Sequence, residues 1–154
     1  MKEHFLRLFH HANWANCRVL ALLQNLGAPP EKARRVFAHL LAAEYVWATR
    51  LRGEDSSKLE IWPDHSLEQC AAQVEKNAAD YRRYLEALSD NALNSVITYR
   101  NSKGAAFSNS VQDTLTHVSL HGSYHRGQIA QTIRGAGHEP VNTDFITFVR
   151  EGKL

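Results

Sequence analysis

Histidines stand four residues apart at 117, 121 and 125 in the stretch HVSLHGSYHRGQI, which holds three of the nine histidines in a chain of 154 residues. On a helix, side chains four apart lie one above another on the same face. Imidazoles so arranged can ligate a divalent metal, relay protons along a row, or sit as ordinary hydrogen-bonded polar residues. Spacing alone does not choose among these, because a histidine-rich chain produces such pairs by chance.

Direction separates the three. At about 100° per residue, a helix here carries an apolar stripe through Val111, Leu115, Val118, Gly122, Ile129 and Ile133. His121 and His125 fall inside the edge of that stripe. His117 drifts to its boundary and reads as a supporting or surface residue. Another inward histidine, His39, lies on a second stripe beside Val36, Ala43 and Val46. A lone histidine on an apolar face is normally a satisfied core residue. Histidines from two helices can instead converge, and bundle interiors are where facing helices build metal sites. Three neutral imidazoles leave one position of a tetrahedral ion open, as catalytic sites do.

Glu44, about a turn from His39, is a candidate to orient a ligand ring through its other N–H; a solvated helix glutamate is the equal alternative. The remaining histidines carry no such pattern. His4 and His11 flank the first stripe, His10 points away from it, and His65 and His138 fall in expected loops. Tyr124 and Arg126 neighbour the ligand candidates in sequence but point elsewhere, so neither receives a role. Cys17 and Cys70 show no CxxC spacing and read as two buried, reduced thiols far from the histidine motif.

The elements that must position these groups follow from helical periodicity. Phe5, Leu8, Ala12, Ala15, Val19, Leu22 and Leu26 mark a first helix that ends at GAPP, 27–30. Val36, Leu40, Ala43, Trp47 and Leu51 mark a second, stopping near Gly53. After a loop with Pro63 as a breaker, Ser66 to Gln69 matches a capping box and opens a third helix through about Leu88. VITYR, NSKG and AAFS then suggest a small hairpin or extended excursion. Ser110 to Asp113 is a weaker cap for the fourth helix, which runs to a stop at Gly135–Gly137. Asn142 or Thr143 is the expected cap of a short terminal helix. The fold class expected is all-α, a four-helix bundle in a single domain over 1–154, with a non-helical excursion between helices 3 and 4.

Composition fits that reading. Apolar residues are 44% and charged residues 22%, with a formal net charge of +2, too mild to suggest a nucleic-acid partner. The basic–aromatic run YRRY at 81–84 is explained by a solvated helix face. No apolar run approaches the roughly 18 residues of a membrane span, and the N-terminus lacks a signal-peptide core, so the expected location is cytoplasmic.

Five stretches together resemble the DinB family of small metal-binding bundles: NWANCRVLALL (13–23), HLLAAEYVW (39–47), YRNSKG (99–104), HVSLHGSYHRGQI (117–129) and PVNTDFITFVRE (140–151). The order and spacing match over nearly the whole chain, with HGxYHRGQI and TDF the most specific parts. The resemblance implies an up-down-down-up bundle, a homodimer, and one divalent ion, zinc or nickel, held by three histidines. Carried over, those ligands are His39, His121 and His125, the three that the helical wheel selects.

The function implied is less uniform, since some relatives transfer low-molecular-weight thiols to electrophiles and fold alone does not fix activity. One expectation is a metal-dependent thiol S-transferase or hydrolase-like enzyme acting on a small thiol and an electrophilic substrate. The other is a non-catalytic metal-binding stress-response or scaffold protein acting as a dimer. Leu120, Tyr124 and Gly127 form an uncharged back to the fourth helix, suited to a dimer surface.

Overall fold

The computed structural model describes residues 1–101 and 103–152. Ser102 of the expected turn and residues 153–154 of the expected domain lie outside the described residues. Helix α1 spans Lys2–Asn25, α2 Glu31–Leu51 and α3 Leu67–Ala87. A 3-10 turn at Asn91–Asn94 leads into strands β1 (Val96–Arg100) and β2 (Ala106–Ser110), and then α4 (Val111–Gly135) and α5 (Phe145–Arg150) follow. The excursion between α3 and α4 is an antiparallel hairpin, with Val96 opposite Ser110 and Tyr99 opposite Phe107.

Paired side chains give the direction of each helix. Phe9 stacks on Tyr81 while Lys2 reaches the Glu86 carbonyl, so α1 and α3 are antiparallel. His39 meets His125 and Trp47 meets His117, so α2 and α4 are antiparallel. The connection after α2 runs back along that helix, because Ile61 lies against His39 and Asp64 against Arg34. Helix α3 therefore starts beside the beginning of α2 and runs parallel to it. The order is up-down-down-up.

Local chemistry sets the ends. At α2, Gly53 takes φ +73°, a conformation costly for a residue with a Cβ. Its N–H bonds the Arg50 carbonyl at 2.9 Å and the Glu54 N–H bonds Thr49 at 3.1 Å, which closes the helix and turns the chain back. Ser66 and Gln69 form the reciprocal capping box expected for α3, at 3.2 and 2.8 Å. Ser110 accepts from the Asp113 N–H at 3.1 Å to open α4. For α5 the cap position is Asp144, not Asn142 or Thr143, and Asn142 instead accepts from the Asp144 N–H at 2.8 Å.

The core has two halves. One gathers Val19, Leu23, Phe37, Leu40, Leu41, Val74, Ile129 and Ile133. The other gathers Phe5, Phe9, Tyr81, Leu85, Leu93, Leu115 and Val118. The expected stripe of α4 is buried throughout, but that of α1 is rotated. Phe9 and Leu23 are in the core, whereas Leu8, Ala12, Leu22 and Leu26 are only half-buried. The polar residue Asn16 lies on the true inner face, so an apolar count underweights that face. Helix α2 is buried on nearly every side, because it packs on α3 and α4 and the loop after it covers a third flank.

Candidate metal centre

His39 enters from α2, and His121 and His125 from α4, one turn apart. One ring nitrogen from each lies within 4.8 Å of the other two, a grouping able to hold a metal ion. The ring centroids of His121 and His125 are 4.3 Å apart, and His39 is 4.7 Å from His125 and 5.5 Å from His121. His39 and His125 are buried and His121 is half-buried, which leaves a way to solvent.

Hydrogen bonds decide which nitrogens are presented. A carbonyl can only accept, so the Nδ1–H of His39 donates to Ile61 O at 2.7 Å and its Nε2 remains available. The Nδ1–H of His125 donates to Gln128 Oε1, also at 2.7 Å. His121 Nε2 and His125 Nε2 stand 3.0 Å apart. Two nitrogens on one tetrahedral zinc ion, each at about 2.0–2.1 Å, are separated by roughly 3.3 Å, so this pair stands near the spacing that a small divalent cation needs. Burial lowers the pKa of His39 against the opposing pull of its bond to Ile61. Burial, then the neighbouring His125, His39 and His117, push His121 down to about 4. Both rings are thus neutral near pH 7, the form in which an imidazole can ligate a metal.

The indole of Trp62 lies flat on His39, with centroids 3.7 Å apart and planes within 6°. This residue comes from the loop after α2 and shields one face of the cluster while staying half exposed. His117 sits one turn before His121 with its ring against Trp47 at 5.1 Å, outside the metal-competent group.

The family model for DinB matches residues 1–152. The chain belongs to the DinB family. It is 25% identical to Protein DinB of Bacillus subtilis (strain 168), across 94% of this chain and 93% of that protein. The histidine cluster of this DinB-family chain therefore sits in a bundle matched almost end to end.

Glu44 is buried, but its hydrogen bonds do not go to a histidine. Its carboxylate accepts from Asn16 Nδ2 at 3.0 and 3.3 Å and from Asn77 Nδ2 at 3.0 Å. Arg126, 3% exposed, donates from Nη1 to Asn16 Oδ1 at 3.1 Å. Each long helix thus contributes one residue to a polar layer between the two core halves. A Cβ at Gly122 would come within 3.0 Å of Arg126 Nη1, so the glycine leaves the space that the guanidinium uses. Burial raises the Glu44 pKa, partly offset by Asn16, Arg126 and Asn77.

Sequence reasoning passed over Gln128, Ile61, Trp62 and this layer. Only Gln128 left a local sign, three residues after His125 on the same helix. The thiols also differ from expectation. Cys70 is buried, but Cys17 is exposed. Burial raises the pKa of both, Cys70 to about 11, and neither joins the histidine cluster.

Proposed function

We propose that this chain binds one divalent metal ion through His39, His121 and His125 and uses it as a thiol S-transferase. The observation that carries the reading is the convergence of three imidazole nitrogens, two of them aimed by hydrogen bonds from the opposite ring nitrogen. A divalent ion held by His39, His121 and His125 would supply Lewis-acid chemistry to a thiol or water. In the transfer, the thiol gives up its proton to solvent, its sulfur bonds to an electrophilic carbon, and the leaving group departs with the electron pair of the bond that breaks. The chain's own groups hold the rings in register, and Trp62 excludes water from one face. Zinc and nickel both suit imidazole donors.

Cobalt substituted into the protein tests the catalytic reading. Titration with 2-mercaptoethanol should produce a new ultraviolet charge-transfer band that saturates. Cobalt-loaded protein with no spectral response to small thiols would rule out the transferase. That result would favour a passive metal-binding or scaffold role. A homodimer is part of the proposal, supported by the exposed side chains of Leu120 (66%) and Tyr124 (64%) on α4. Light scattering of untagged protein should give twice the chain mass; a monomer mass would remove the dimer.

A further inference from the structure

We propose that a cavity between α1 and α3, separate from the histidine cluster, binds a small organic cation: a primary ammonium on an apolar body, with Glu44 as its counter-ion. The cavity measures about 370 Å³, within the roughly 300–1,000 Å³ range of small-molecule sites. Asn16, Glu44 and Asn77 line it together with the apolar surfaces of Phe9, Val74 and Leu85.

Two observations give the ligand its chemistry. The Glu44 carboxylate is only 6% exposed, yet every side-chain hydrogen bond it accepts comes from a neutral amide. Among the described residues it forms no ion pair: Arg126 hydrogen-bonds Asn16 rather than the carboxylate and acts on Glu44 only through space. A buried carboxylate without a directly bound cation is costly, and a ligand ammonium would relieve that cost in surroundings where water screens little. The second observation is the wall. Phe9 and Tyr81, stacked at 4.3 Å, both line the cavity, and aromatic surfaces attract cations. Exposed Glu75 and Arg82, which also line the cavity, carry opposite charges and so neither repel nor select an incoming cation.

Benzylamine, benzyl alcohol and benzoate share one ring and differ in the charge they carry. Amide shifts of the full chain, followed by NMR, should saturate with benzylamine at Asn16, Asn77 and Ala78. Benzyl alcohol should bind at least about tenfold more weakly, and benzoate should leave those amides unmoved. Ala78→Phe, which places a ring in the cavity, should abolish the response while metal uptake by the histidines stays intact, so the two sites are read separately. Glu44→Gln should bind benzylamine about as weakly as benzyl alcohol; should that variant not fold, the amine-to-alcohol ratio in the natural chain decides. Equal binding of amine and alcohol, shifts that survive Ala78→Phe, or no saturable shift at all would each overturn the proposal.

Discussion

A histidine is a good ligand only when its ring is aimed, and here the aiming groups are as informative as the rings. Gln128 fixes His125 through Nδ1, and loss of such an orienting partner typically weakens metal binding about 10–100-fold. Gln128→Ala should do so in competition with a chromophoric chelator, while His117→Ala retains most of the affinity. Unchanged affinity in Gln128→Ala would remove its orienting role. Two of the three clustered histidines were readable from an HxxxH pair inside an apolar stripe, and the third from a histidine inside another. The partner of His39 was not readable, because a main-chain carbonyl 22 positions away leaves no mark in residue type.

His11 carries a pH prediction at the same scale. Its Nε2–H donates to Thr143 O at 2.8 Å, and burial lowers its pKa despite that bond. With the folded value below the unfolded 6.5, the unfolded chain takes up the proton first as pH falls. The stabilising contribution is therefore present above about pH 6.5 and is lost as pH drops through the lowered folded value. The ring should titrate below 6.5 by NMR. Denaturant melts of His11→Gln against the natural chain should move in the variant's favour between about pH 7 and about pH 5. A His11 midpoint at or above 6.5 would contradict this.

At the scale of elements, the helices were legible because apolar periodicity, capping boxes and glycine stops agree over most of the chain. The face of α1 was not. Its inner surface includes Asn16 and His11, both buried and both hydrogen-bonded to other elements. Polar residues satisfied by distant partners look like surface residues in a periodicity count. Asn16 links α1 to α2 and α4 by bonding both Glu44 and Arg126. Asn16→Ala would strip partners from two buried charged groups, each worth about 1–3 kcal/mol when left unsatisfied. Urea melts should show a loss of roughly 2–6 kcal/mol; a change under about 0.5 kcal/mol would mean that the layer contributes little to stability.

For the whole molecule, the long connection after α2 is decisive. It lets α3 run parallel to α2, brings Ile61 and Trp62 onto His39, and leaves α4 to close the bundle antiparallel to α2. The helix order and the hairpin's place were legible from element lengths and the family resemblance. The polar layer was not, because its hydrogen bonds join residues 28, 33 and 110 positions apart. Only folding brings those four side chains together, and no local pattern announces them. Among the described residues no helix is long and apolar enough to cross a membrane.

The most direct test of the central claim is metal stoichiometry. The untagged, metal-stripped chain is dialysed against zinc, nickel or cobalt, then against metal-free buffer, and its content is read by plasma mass spectrometry. One ion per chain is expected, retained by His117→Ala and lost from His39→Ala, His121→Ala and His125→Ala, all of which should keep their helical circular dichroism. A natural chain that retains no ion, or folded ligand variants that retain as much as it does, would contradict the assignment.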